Sequence, residues 1–193
     1  MIELSISVNR AQRSRLKREL ASVRNGVPRA IASAVRRTTG TVKTSMNREI
    51  RKTLNLKAAD VRSDLDSRVT GTGDDTHGVI RVSSKPHTLR AFGAREARGR
   101  GRGGKSQGVK VRVFKTKPAT VIKRGFTPAK FKGVPFKRTG KRRVPIEPMF
   151  GPSLAGFLSA SGKPIFRKIQ RDAEKALQKN LESQTNRLLK RAK

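Results

Sequence analysis

Ile2, Leu4, Ile6 and Val8 alternate with polar residues, the period of a half-buried strand. Asn9 then reads as an N-cap, and Leu16, Leu20 and Val23 place one apolar stripe on a short helix. Asn25-Gly26 ends that helix, and Pro28 stands where a helix's first turn tolerates proline. From Val27 the apolar positions Ile31, Ala34, Val35, Val42, Met46, Ile50 and Leu54 recur at steps of three, four or seven. They predict a long amphipathic helix, which Gly40 weakens without breaking. Asn55 reads as the cap of a further short helix through Leu65, with Leu56, Ala59 and Leu65 inward.

The period then changes. Val79-Ile80-Arg81-Val82 is a strand candidate, and Val109, Val111 and Val113 alternate with Lys110, Arg112 and Phe114. Val121-Ile122 and Val134-Pro135-Phe136 add short extended pieces. Together these predict a small, mostly antiparallel sheet with its apolar face on helices and a basic face outward. Helical spacing returns in Ile165, Ile169, Ala173, Leu177, Leu181, Gln184 and Leu188, a stripe that needs a partner surface, either this domain's own or a neighbouring subunit's. The expected fold is α+β in one domain over residues 1–193. Strand and helices occupy 1–65, basic sheet and loops 66–150, and a long C-terminal amphipathic helix 151–193.

Composition narrows this picture. Only 34% of the 193 residues are hydrophobic, and the aromatics are eight Phe with no Trp or Tyr, so the core must be modest. Lys and Arg number 47 against 13 Asp and Glu, a formal net charge of +34. So much like charge is tolerated beside a polyanion or acidic partners, and nucleic acid is the common choice. The charge is concentrated: Ala97 to Ile146 holds 17 basic residues and no acidic one. Two clusters stand out within it. Arg98, Arg100, Arg102 and Lys105 lie on a Gly/Arg loop, and Lys137, Arg138, Lys141, Arg142 and Arg143 lie around Gly140. Such loops reach phosphates or an acidic protein without reading bases, and no aromatics interleave with them for stacking. Cysteine is absent, the first eight residues do not read as a signal peptide, and no apolar run approaches a membrane span. No membrane partner is expected.

Apparent catalytic motifs fail on context. Gly99 to Ser106 fits the P-loop formula, Gly99-x-Gly101-x-x-Gly104 the dinucleotide fingerprint and Gly104-x-Ser106-x-Gly108 a nucleophile elbow. Each needs a buried strand before and a helix after. Here Arg-Glu-Ala-Arg precedes and a strand pattern follows, so the expectation is a flexible basic loop. His77 and His87 lie in turn-like stretches with no cysteine to complete a zinc set. Asp74-Asp75 reads as a solvated turn, and Asp60, Asp64 and Asp66 as solvated or paired with Arg62 and Arg68. No enzyme activity, cofactor or metal is expected.

The order of segments carries more. An Ala/Arg-rich helix, Ala30-Ile31-Ala32-Ser33-Ala34-Val35-Arg36-Arg37-Thr38, leads to Asn55-Leu56-Lys57 and Val61. A basic middle follows, then Arg143-Val144-Pro145-Ile146-Glu147-Pro148-Met149-Phe150-Gly151-Pro152-Ser153, then a long basic helix. From about Val27 onward this resembles the minor tail protein Z family, the tail-completion proteins of lambda-like long-tailed phages. The resemblance implies a virion protein at the head-proximal tail end or neck, assembled in the host cytoplasm, beside a tail terminator and a head–tail connector. It supplies no catalytic residues. A homo-oligomeric ring near genomic DNA is the expected arrangement, since it turns like charge toward a shared anionic path. The prolines stiffen a strip whose Ile146, Met149 and Phe150 are apolar anchors, and docking on a neighbour or sealing its own sheet fit it equally. The expected subunit interface is Pro145, Ile146, Met149, Phe150 and Pro152 with Ile165, Ile169, Leu177 and Leu181. A sequence-independent RNA- or DNA-binding protein, ribosomal or chromatin-like, is the rival reading from composition.

Overall fold

The structure is a computed structural model and describes residues 1–98, 106–140, 142, 144–160 and 162–192. The opening alternation forms β1 (Ile2–Ser7), with Leu4, Ile6 and Val8 buried. Asn9 caps α1 (Arg10–Glu19) in a reciprocal box: the Gln12 amide donates to Asn9 Oδ1 at 2.8 Å and the Asn9 amide to Gln12 Oε1 at 3.1 Å. After a short turn, α2 (Gly26–Thr53) runs for 28 residues, straight through Gly40. Its apolar stripe holds it: Ala30, Ile31, Ala34, Val35, Val42, Met46 and Ile50 are all buried. Tertiary burial of one face outweighs a single weak helix former.

The segment after α2 departs from expectation. The short helix α3 is Ala58–Ser63, with Lys57 at its N-cap and Val61 as its buried residue, whereas Ala59 is exposed. Asn55 caps nothing: its Nδ2 donates to the Phe92 carbonyl at 3.0 Å, and its amide to the Val113 carbonyl at 2.9 Å. Leu65 opens a strand instead, β2 (Leu65–Thr70), where it lies opposite Val82 of β3 (His77–Val82). The order is β1-β3-β2, antiparallel throughout. The polar residues of β2 hide its period, and cross-strand pairing decides it. At Gly78 this sheet closes on α2, where an added Cβ would collide with Thr39 Oγ1.

Short strands fill the middle. They are β4 (Pro86–Thr88), β5 (Arg95–Arg98), β6 (Ser106–Val111), β7 (Thr120–Ile122), β8 (Gly125–Phe126), β9 (Phe136–Arg138), β10 (Ile146–Pro148) and β11 (Phe150–Ser153). They pair antiparallel as β5-β6-β7, β8-β9-β10 and β4-β11, several small sheets rather than one. Val109 and Val111 are buried on β6, but Val113 lies beyond its end, and Phe114 makes a lone bridge to Leu54. Val134 and Pro135 precede β9 instead of joining it.

The C-terminal region is two helices, not one. In α4 (Leu154–Ala160), Leu154, Ala155, Phe157 and Leu158 are buried. The chain then turns at Gly162, whose amide donates to the Phe157 carbonyl at 2.7 Å, into α5 (Lys163–Ala192). α5 lies antiparallel along α2. Ile169, Ala173, Leu177, Leu181 and Leu188 complete the core, flanked by Ser33 Oγ to Gln184 Oε1 at 3.0 Å and Asn180 Nδ2 to Thr38 Oγ1 at 2.9 Å. The fold is α+β: two long helices carry small antiparallel sheets.

Candidate functional site

The basic middle is built on two adjoining sheets. β5 and β6 form a hairpin with Arg98 opposite Ser106, so Ser106 opens a strand and not the helix that a phosphate loop requires. Arg100, Arg102 and Lys105 lie outside the described residues, as do Lys141 and Arg143. β8-β9-β10 stands beside the hairpin. Glu96, Gln107, Arg124, Phe126 and Arg138 line one small polar concavity, so the root of the Gly/Arg loop and the second cluster share a patch. Arg138 stacks on Phe126, 4.9 Å from the guanidinium carbon to the ring centre, and Arg142 is exposed. Arg98 meets Glu96 at 3.6 Å and Lys137 meets Glu147 at 3.7 Å. The second is exposed on both sides and the first has a half-buried Glu96, and at these separations both are weak and open to exchange for a stronger anion.

The acidic residues are mostly occupied. The turn at 73–75 is solvated, with Asp75 85% exposed, and its acids reach α1 through surface pairs, Asp75 with Arg13 at 3.1 Å and Asp74 with Lys17 at 3.9 Å. Arg68 pairs with Asp66 at 3.0 Å. Asp64, however, takes neither Arg62 nor Arg68. It meets His87 Nε2 at 2.8 Å, with both side chains largely shielded, 13% and 16% exposed. His87 also sets its ring edge-on to Phe92, so it is a structural contact between α3, β2 and β4 rather than a turn residue. Glu49 bridges the long helices, accepting from Lys52 Nζ at 2.7 Å and Lys168 Nζ at 3.2 Å. The Lys52 hydrogen bond, with that of Lys168, holds its carboxyl below the ordinary range although burial pushes the other way. Among the described residues no group of His, Asp and Glu could hold a metal, and no helix is long and apolar enough to cross a membrane.

The proline strip seals this chain's own sheets along much of its length. β10 pairs with β9 and β11 with β4, while Met149 between them is buried, its amide bonded to the Pro135 carbonyl and its carbonyl to the Leu89 amide, each at 2.9 Å. Gly151 lies under the Phe92 ring, where a Cβ would come within 2.5 Å of Cε2. Ile146 and Pro152 are half-buried, and Pro145 is exposed. Phe150 points out and is 52% exposed, at the lip of an apolar groove with Val113, Phe114, Pro118 and Ile122. In the long helix, Ile165 is half-buried, while Ile169, Leu177 and Leu181 are buried in this chain's own core. Of the residues expected at a subunit interface, Phe150 is thus the large apolar side chain that remains on the surface.

Sequence reading missed one basic surface. α2, read for its apolar stripe, carries Arg36, Arg37 and Arg48 on its outer face, together lining a shallow trough. The available signal was the absence of any acidic residue from Gly26 to Arg48.

Comparison with known proteins bears on what these surfaces serve. Neither the curated proteins nor the solved structures offer a match. The family model of prophage minor tail protein Z (GPZ) matches residues 14–191, reaching back beyond Val27 to include most of α1. That span takes in the Ala/Arg-rich helix, the basic sheets, the proline strip and both C-terminal helices. The chain therefore belongs to the prophage minor tail protein Z family and is a structural protein of a phage tail.

Proposed function

We propose that this chain finishes the head-proximal end of the tail, where several copies surround the DNA path and make the tail competent to join the head. One observation carries the reading beyond the family: the stretch from Ala97 to Ile146 is without acidic residues in a chain of net charge +34. Its flanking acids, Glu96 and Glu147, make only long pairs with Arg98 and Lys137, at 3.6 and 3.7 Å. Such a surface repels its own copies unless an anion lies alongside. A ring around DNA supplies that anion to every copy at once. The work is electrostatic and steric, without bond chemistry. The basic hairpin and β9 face the DNA or an acidic neighbour such as a tail terminator or head–tail connector, and Phe150 with its groove meets the adjoining protein. Assembly takes place in the host cytoplasm before the chain enters the virion.

The test is deletion of the gene in its phage, with complementation from a plasmid. Tails of normal length that do not join heads in the electron microscope are the expected result. Infectious particles without the gene, or a complete lack of tails, would overturn the placement.

A further inference from the structure

The trough on α2 belongs to neither basic loop. Arg36, Arg37 and Arg48 line it together with Gly40, Thr41 and Thr44, and its lining holds no acidic residue. All acidic side chains of the protein lie in described segments, and none makes an ion pair with Arg36, Arg37 or Arg48. Thr41 and Thr44 donate their hydroxyls back to the carbonyls of Arg37 and Gly40, at 3.1 and 3.0 Å, so the remaining donors of the lining are the three guanidinium groups and the Ser45 hydroxyl. At Gly40 an added Cβ would meet nothing within 4 Å among the described residues outside its own helical turn, so the floor is backbone that a partner can approach closely. Glycine there weakens the helix, and nothing inside the fold requires it.

We propose that this face of α2 docks the phosphate backbone of duplex DNA without reading bases, a reading that rests on the tail's DNA path proposed above. Arg37 and Arg48 are separated by about 16 Å along the helix axis at 1.5 Å per residue. A small anion cannot meet both ends, whereas a duplex presents a charge every ~1.7 Å and passes along the whole trough. Guanidinium forks suit phosphate oxygens in pairs. The trough also has no apolar side chain in its lining. A protein partner would want an apolar anchor at the centre of its interface, and a phosphate backbone does not.

The test uses the purified full chain and a short mixed-sequence DNA duplex, with binding followed by fluorescence anisotropy over a range of salt. The triple variant Arg36→Gln, Arg37→Gln, Arg48→Gln should reduce the salt slope by about 2 to 3, near 0.9 for each phosphate no longer neutralised. The control Arg171→Gln, Lys179→Gln, Arg187→Gln removes the same charge from exposed positions of α5 and should hold the slope near wild type. Gly40→Gln keeps the charge but fills the floor, and should weaken binding several-fold with unchanged circular dichroism. Equal reductions in both triple variants would mean bulk attraction and would overturn the proposal. So would a wild-type slope in the α2 variant, or tight poly-glutamate binding that needs these arginines while DNA binding does not. These outcomes do not depend on whether deleting the gene leaves tails unjoined, so a failure of the docking face can be told apart from a failure of the tail role.

Discussion

Replacing Gly78 with alanine probes a very close approach, that of β3 on α2. The new Cβ would overlap Thr39 Oγ1 and come within 3.3 Å of Thr39 Cβ and Val35 Cγ1. Thr39 is 3% exposed, and its hydroxyl donates to the Val35 carbonyl at 2.9 Å, so the side chain has no free direction to yield. Rotating it breaks that hydrogen bond, at about 0.5–1.5 kcal/mol. Lifting the strand instead costs about 1–3 kcal/mol, as overpacking does. Alanine recovers roughly 0.4–1 kcal/mol by restricting the unfolded chain. The expected net loss is up to about 2.5 kcal/mol, a fall in Tm of up to about 10 °C at about 2–4 °C per kcal/mol for a chain of this size. The chain has no Trp or Tyr, so urea unfolding followed by far-ultraviolet circular dichroism is the assay. In a Thr39→Ala background the collision is removed, and Gly78→Ala should then cost at least about 1 kcal/mol less. Equal costs in the two backgrounds would refute the steric argument.

Three further outcomes follow from the same packing. Ile169→Ala, at a fully buried position between the long helices, should destabilise by about 2–5 kcal/mol in urea titration. Phe150→Ser, on the exposed edge of the proline strip, should change stability by less than about 0.5 kcal/mol yet lower the yield of joined particles if the strip meets a neighbour. The Glu49 carboxyl, whose pKa lies below 4.5 in the folded state, loses its proton more readily there than in the unfolded chain. Its stabilisation is therefore present above pH 4.5 and is lost as the pH falls through the lower folded value. Glu49→Gln should flatten that part of the stability curve by roughly 1 kcal/mol or less, and an unaltered acid limb in the variant would contradict it.

What was legible in the sequence is what depends on local period. The alternation from Ile2 to Val8, the stripe from Ile31 to Ile50 and the stripe from Ile169 to Leu188 each foretold an element and its buried face. The basic stretch without acids and the proline strip were also visible, and they carried the family resemblance. Tertiary structure decided what depends on residues distant in the chain. Leu65 became a strand residue because Val82 lay opposite it, and Asn55 turned inward because Phe92 offered a carbonyl. Asp64 found His87, and Asp74 and Asp75 found α1, through contacts that no spacing encodes. Ile169, Leu177 and Leu181 presented the same stripe whether the partner was this chain or another subunit, and only the packed chain shows them buried in its own core. Periodicity states which side of an element must be covered. What covers it is settled by the path of the whole chain, because burial depends on neighbours and not on sequence order.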